Sequence, residues 1–334
     1  MIKLSVIIPV YNGEHFVDKC MEMIQRCKLK NIEFIFVDDG SKDKTADKIK
    51  FYLDKDKRLR YVYQDNKGVS VARNNGISYS RGIYISFLDI DDCFEANLYE
   101  DLLNEMISYP VDLVIASVKT DNGNKVESRD LGLVTNQYYQ VDDHFMSLFM
   151  LCEINGSPWN KIYKAEIINK YQIQFDRKIS IGEDYLFNLN YLAHTEKIRY
   201  IDSSSYLYNI RPNSAMTTYK ADKFLIYEKL HEKCLLLIDE AYPLFKCYQQ
   251  LRYLTWINNS FIDEVCLNPS KSNCSEKISI ILECTSVQQL VADCKMLQIE
   301  MRLKEKIILN LLKLKSVFWV RTYINIRNLL VRYK

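Results

Sequence analysis

Acidic residues cluster at two places where a chain can do metal and phosphate chemistry: Val37-Asp38-Asp39-Gly40-Ser41 and Phe87-Leu88-Asp89-Ile90-Asp91-Asp92. Each cluster closes a run of apolar, β-branched residues, so the acids fall at strand ends. Carboxylates two apart on an extended chain, as Asp89 and Asp91 would be, point to the same side. A hard cation such as Mg2+ or Mn2+ takes oxygen ligands and leaves room for phosphate and water, which makes this pair a candidate metal–diphosphate site. The competing reading is structural, because Asp at a strand end also caps the following helix.

The elements that must position these acids follow from periodicity. Strand-like runs at 4–8, 33–37, 60–64 and 83–88 begin 23 to 29 residues apart. Between the first two, Phe16, Val17, Cys20, Met21, Ile24 and Cys27 recur at steps of three and four, the mark of one buried helix face. A fifth run, 111–116, follows a helix over 95–108 that Pro110 closes. Such alternation predicts parallel βαβ units in an open α/β sheet, with the ligand outside the carboxyl ends of the strands. There is no G-x-G-x-x-G and no G-x-x-x-x-G-K-[ST], which excludes dinucleotide and P-loop sites. Beyond residue 117, Asp121-Asn-Gly-Asn predicts a hairpin. Helices are expected over 143–152 and 183–194, strands over 197–201 and 205–210, and about three helices from 221 onward.

Length and composition set further bounds. A chain of 334 residues, 48% hydrophobic and 26% charged, can bury a full core and is not disordered. Ten Cys without a C-x-x-C argue against a zinc module and fit a reducing cytoplasm. The apolar start is broken by Pro9 and reads as a strand rather than a signal peptide, and no run of 18 apolar residues is present to span a membrane. The net charge of +2 hides an asymmetry: residues 301–334 hold nine basic residues and one acid, net +8, against −6 for residues 1–300. In that tail Ile307, Ile308, Leu311, Leu312, Leu314, Val317, Phe318, Val320 and Ile324 recur at helical steps, with Trp319 nearby. Such a helix lies on an anionic membrane surface, or packs on the catalytic domain or on a second subunit to make an oligomer. Nucleic acid is disfavoured by the acidic remainder and the lack of a reading motif.

Seven segments in order resemble family 2 glycosyltransferases. They are Ile7-Ile-Pro-Val-Tyr-Asn12, Val37-Asp-Asp-Gly-Ser41, Asn66-Lys-Gly-Val-Ser-Val-Ala-Arg-Asn74, Phe87-Leu-Asp-Ile-Asp-Asp92, Pro158-Trp-Asn-Lys-Ile-Tyr163, Gly182-Glu-Asp184 and Tyr208-Asn-Ile-Arg-Pro-Asn-Ser214. The resemblance implies a Rossmann-like GT-A fold: a mostly parallel twisted sheet flanked by helices, here with a C-terminal helical extension. It implies a catalytic domain over 1–218, in which 1–116 holds the nucleotide sugar and 117–218 faces the acceptor. The region 219–334, with its basic tail, lies outside the shared pattern.

The resemblance also implies roles. Pro9 and Tyr11 line the base pocket, where Tyr11 stacks on the base or merely packs. Asp38 and Asp39 hold uracil or ribose, or form an Asx-turn or cap for the helix near Asp43. Gly68 allows close backbone approach or caps its turn, and Arg73 faces the diphosphate or makes a surface ion pair. Asp91 is the metal ligand and Asp89 its partner toward ribose or metal-bound water, with Mn2+ or Mg2+ as cofactor; Ile90 departs from the small residue usual between them. Asp184 is the base that inversion requires, and Glu183 binds the acceptor or holds the loop, although both acids also suit a helix N-terminus. Arg211 and Ser214 close on the diphosphate. Trp159 and Lys161 lie on the acceptor side, where Trp159 stacks on a sugar or belongs to the core.

The implied activity is transfer of one sugar from a nucleotide-sugar donor, UDP-linked, to a glycan, glycolipid or glycoprotein hydroxyl with inversion, in surface polysaccharide or glycoconjugate assembly. The Q-x-x-R-W motif of processive members is absent, which fits one sugar per acceptor. The competing function is a non-catalytic partner of a membrane glycan-assembly complex. The intact Asp91, Asp184 and Arg73 argue against it.

Overall fold

The computed structural model describes residues 1–334 except 130–131, 153–155, 211–217, 238–242, 271, 294–300, 302 and 333–334. β1 (Leu4–Val10) and β2 (Ile32–Asp38) are buried at every position. Strands covered on both faces read as continuous apolar runs rather than alternating ones. β1, β2, β3 (Leu59–Tyr63) and β4 (Tyr84–Phe87) are joined in turn by α1 (Glu14–Arg26), α2 (Thr45–Leu53) and α3 (Val69–Tyr79). The predicted face of α1 is buried through Val17, Cys20, Met21 and Ile24. Glu33 is a buried acid inside this layer. Glu33 accepts from Ser5 Oγ at 2.6 Å, Arg60 at 3.0 Å and the Arg81 N–H at 2.8 Å, so its charge is compensated where water is excluded.

Ten strands form one sheet: β5 (Cys93–Phe94), β6 (Leu113–Asp121), β7 (Val126–Arg129), β8 (Gln137–Gln140), β9 (Lys161–Lys164) and β10 (Lys197–Asn209) complete it. Its order is β3-β2-β1-β4-β9-β6-β10-β5, with β7 on β6 and β8 on β10. The half from β3 to β4 is parallel, as the alternation predicts. The other half is mixed, because β9 runs antiparallel between β4 and β6. β6 and β10, parallel to each other, therefore keep the direction of β1–β4. The Asp121-Asn-Gly-Asn turn makes the expected hairpin, with Gly123 at φ +82°. The two strands expected over 197–210 are one, interrupted by a register shift between Ile201 and Tyr206. α4 (Leu98–Ser108), α5 (Asp143–Leu151), α6 (Ala165–Lys170) and α7 (Glu183–Leu192) fill the connections.

Helix α3 sits unusually close to the sheet. A Cβ at Gly76 would lie 2.2 Å from Ile7 Cγ2, so only glycine permits this approach. Arg73, one turn earlier on the same helix, is thereby held over the carboxyl end of the sheet.

The chain divides into two compact units, one of residues 1–178 and 183–211, the other of residues 179–182 and 212–334. The second unit contains six α-helices among its described residues, where periodicity suggested about three: α8 (Lys223–Leu236), α9 (Pro243–Ile262), α10 (Cys274–Glu283), α11 (Thr285–Asp293), α12 (Leu303–Leu314) and α13 (Val317–Arg332). The breaks are hard to read because residues 221–334 hold no glycine and two prolines; α12 and α13 part at Lys315, which takes φ +47° without one. The tail is therefore not one surface helix. Ile308, Leu311, Leu312, Val320 and Ile324 are buried, with α12 on α9 and α11 and α13 on α9 and α10. The face expected to enter a bilayer is covered by sister helices. What remains outside is the elbow, where Leu314, Phe318 and Trp319 are 61, 67 and 52% exposed. No described helix is long and apolar enough to cross a membrane, and the nine cysteines among the described residues are free thiols.

Candidate active site

The loops after β1 and β2 are stitched together by hydrogen bonds. The Asn12 N–H donates to Ser41 Oγ at 2.9 Å, Gly13 to Thr45 Oγ1 at 2.9 Å and Glu14 to Asp43 Oδ2 at 3.1 Å, while Lys42 donates back to Asn12 Oδ1 at 2.8 Å. Asn12 accepts φ +48°, a conformation Asn tolerates better than most residues. Pro9 lies in register with Val37, and Tyr11 projects half-exposed beyond the strand end.

Asp38 and Asp39 both face inward. Asp38 accepts from the Ser41 N–H, three residues on, at 2.9 Å, and from Tyr61 Oη at 2.7 Å. Asp39 accepts from Gln64 Nε2 at 2.7 Å and from the N–H groups of Lys67 and Gly68, both at 2.8 Å. Those bonds fix the turn that launches α3, in which Gly68 adopts φ +88°. The carboxylate oxygens expected to reach a nucleoside are thus engaged inside the protein.

Arg73 is where the acids converge. Its guanidinium, 4% exposed, donates from one terminal nitrogen to Asp184 Oδ1 at 2.6 Å and Glu183 Oε1 at 3.4 Å, and from the other to Asp89 Oδ1 at 3.1 Å. Burying such a charge alone would cost several kcal/mol, and three carboxylates offset that loss. Desolvation opposes its charge, yet Asp184, Asp89 and Glu183 hold its pKa above the ordinary arginine value. Asp184 and Asp89 keep 26 and 29% of their side chains open. Withdrawal from water pushes the Asp184 carboxyl well above the usual range; Arg73 pulls against this, while Glu183 and Asp89 add to it. Two residues that sequence reasoning passed over complete the arrangement. Phe175 lies under the guanidinium, 5.2 Å from centroid to Cζ, and its N–H and C=O are both clamped by the Asn74 amide at 2.8 Å. Residues 74 and 175 are 101 positions apart, beyond any periodicity signal.

After β4 the chain does not stay extended. Asp92 N–H closes a turn onto Asp89 C=O at 3.0 Å, so Asp89 and Asp91 are neighbours on a tight turn rather than on one side of a strand. Asp92 anchors that turn: it is buried, accepting from Tyr206 Oη at 2.7 Å and the Asn209 N–H at 3.0 Å. Burial first, and then Asp89, push its carboxyl up to about 8. Asp91 stays partly exposed. The oxygen donors of Asp89 and Asp91 suit Mg2+ or Mn2+ with phosphate and water completing the shell. Among the described residues no three His, Cys, Asp or Glu side chains are grouped to hold a metal by themselves.

The sequence profile described as Glycosyl transferase family 2 matches residues 5–171, half of the chain. The chain belongs to glycosyltransferase family 2. It is 31% identical over 268 residues to Glycosyltransferase GlyA of Streptococcus pneumoniae, a match covering 77% of this chain and 38% of that longer protein. It is 26% identical to the uncharacterized glycosyltransferase EpsJ of Bacillus subtilis, over 96% of this chain and 95% of the other. Residues 1–349 of S. aureus TarS, solved in complex with UDP-GlcNAc, share its fold at a TM-score of 0.71 and 18% identity, over 97% of this chain and 91% of that one.

In this glycosyltransferase the late motif residues fall into two groups. Trp159 is buried and stacks on Tyr206 at 4.3 Å and Tyr208 at 5.4 Å, a packing that suits the core. Lys161 is fully buried too. Its Nζ donates to Ser157 C=O at 2.5 Å and Asn160 Oδ1 at 2.7 Å, and burial lowers its pKa to about 7. Both side chains are enclosed by protein around the start of β9. Glu183 and Asp184 open α7, and Asn188, one turn on, ties that end to Gly156 C=O at 2.6 Å and to Tyr163 Oη at 2.7 Å. Arg211 and Ser214 lie outside the described residues.

Proposed function

We propose that the enzyme transfers a single sugar from a UDP-linked donor to a hydroxyl of a glycan or lipid-linked acceptor, inverting the anomeric carbon, in bacterial surface polysaccharide assembly. One observation carries this reading: the Arg73 guanidinium touches Asp89 on the donor side and Asp184 on the opposite side at once. Asp184, raised by its surroundings and open at one edge, takes the proton of the acceptor hydroxyl. The new acceptor O–C1 bond forms as the C1–O bond to the diphosphate breaks, and the departing UDP keeps that electron pair. Arg73, between these acids, would offset charge on the diphosphate, and its buried Nε–H lacks an acceptor among the described residues. Asp91 with Asp89 would hold a Mn2+ or Mg2+, which supplies positive charge to the leaving group. Pro9, Tyr11 and Gly68 line the nucleoside side, and Asp38 and Asp39 shape it through the loops they order. Glu183 positions the acceptor loop, and we assign Arg211 and Ser214 to the diphosphate on resemblance alone.

A panel of nucleotide sugars in thermal-shift assays with Mn2+ reads donor choice directly, since a specific ligand raises the melting temperature. Asp91→Asn is expected to remove the Mn2+-dependent part of the UDP shift, and the product's anomeric configuration by NMR reports inversion. No UDP-sugar shift, or retention at C1, would sink the reading.

The second unit supports an interfacial role. Leu314, Phe318 and Trp319 form an exposed apolar cluster beside exposed Lys313, Lys315 and Arg321, the composition of a surface that enters an anionic headgroup layer. Phe318→Ser with Trp319→Ser should abolish sedimentation with phosphatidylglycerol vesicles. Unchanged binding, or a switch from dimer to monomer in the double variant, would assign the elbow to an oligomer contact instead.

A further inference from the structure

At the amino ends of β6 and β10, unit one carries a depression of about 300 Å3 whose lining includes Pro110, Tyr138, Gln140 and Lys197. The acids lie at the carboxyl ends of strands that run the same way. Through β9, Ile85 of β4 lies level with Leu113 of β6, so Asp89 stands about four residues, roughly 13 Å, further along the strands and three strand spacings, roughly 14 Å, away from β10; the depression is apart from the acid cluster.

Its aromatic wall is braced. Tyr109 and Tyr138 meet edge to face with centroids 5.4 Å apart. The Arg199 guanidinium lies 5.3 Å from one ring and 4.5 Å from the other. That guanidinium is in turn held by Glu105 at 2.9 Å and by the Asn136 carbonyl. Each ring therefore has one supported side, while Tyr138 stays half-exposed and Tyr109 more than a third exposed. Gln140 and Lys197 pair through their main chains, and their exposed side chains make no hydrogen bond or ion pair among the described residues.

We propose that this depression binds one pyranose unit of a saccharide, its C–H face on Tyr138 and its hydroxyls on the Gln140 amide and Lys197 ammonium. A sugar ring is apolar on its faces and polar around its rim, which matches an apolar wall with a few orienting polar groups. The cavity is at the small end of ligand pockets. A protein partner would need a wide apolar surface, and this rim is Gln and Lys. Bracing by Arg199 removes ordering that binding would otherwise require. Given a glycan acceptor, as proposed above, the unit held here lies along the chain from the reacting end, and the two contacts act together.

Binding is measured without donor, so it stands or falls separately from sugar transfer. Ligand-observed NMR on the full chain with cellotriose, chitotriose, maltotriose and trigalacturonate should show at least one of them bound. Tyr138→Ala is expected to weaken that ligand at least tenfold while UDP binding with Mn2+ stays within twofold. Gln140→Ala, which removes no internal bond, should weaken it severalfold without disturbing the Tyr138–Arg199 stack. Four unbound trisaccharides, or variants that bind like the parent, overturn the proposal.

Discussion

Two acid groups follow strands that flank β1 in one sheet and have opposite fates. Asp38 and Asp39, after β2, spend their oxygens on Ser41, Tyr61, Gln64, Lys67 and Gly68. Asp89, after β4, shares Arg73 with Asp184, which lies 111 residues along the sequence from that arginine, and remains part open. The residue type and the position are the same in both. What differs is the supply of donors: the first group has N–H and O–H groups pointing at it, whereas the second has one guanidinium for three carboxylates. An acid pair with a donor on each of its four oxygens is held as part of the loops, and a crowded, under-answered cluster is where ligand charge can enter.

That contrast can be broken most sharply at Asp184. Asp184→Asn should lower the transfer rate about 1,000-fold, in the range of a lost general base, with unfolding temperature unchanged or raised because one crowded charge is gone. A large loss of stability would make Asp184 scaffold as well. Asp39→Ala should do the reverse. It strands two backbone N–H groups and the Gln64 amide, a destabilisation of about 3 kcal/mol read by urea denaturation, and any loss of transfer should track the loss of folded protein. If Asp39→Ala removed activity at full stability, the carboxylate would be a direct ligand and the contrast would fail.

Much of the first sheet half was legible because its strands are buried on both faces and its helices carry a single apolar stripe. β9 was not, since four residues between a turn and α6 leave no period to read. The site was legible as a set of motifs and illegible as a set of roles. Asp39 reads as free to face a ligand until the Lys67 and Gly68 N–H groups, 28 and 29 residues away, are seen to bond it. Trp159 looks like a sugar platform until Tyr206 and Tyr208, from β10, cover it. Phe175 carried no signal at all. The tail's amphipathic stripe was read correctly as apolar and helical, but its partner proved to be α9, α10 and α11; only the elbow residues, exposed despite their size, retain the question that the stripe first raised.

Lys161 offers the finest test of the scaffold side. Its amine is fully buried, has two acceptors and no adjacent carboxylate in hydrogen-bond contact, and burial holds its pKa near 7, down from about 10.5 in water. Above pH 7 the folded chain has released this proton while the unfolded chain still holds it, so stability should rise with pH between about 7 and 10, by at most about 1.4 kcal/mol per unit. Below pH 7 both states are charged and the contribution is level. Lys161→Met removes the proton altogether, so the stability of the parent relative to the variant should climb across that window. A flat difference from pH 7 to 10 would mean that Lys161 keeps its charge in the folded protein. The residue would then have to find a counter-ion, and the nearest open one is the acid cluster at Asp184, which would move Lys161 from the scaffold to the site.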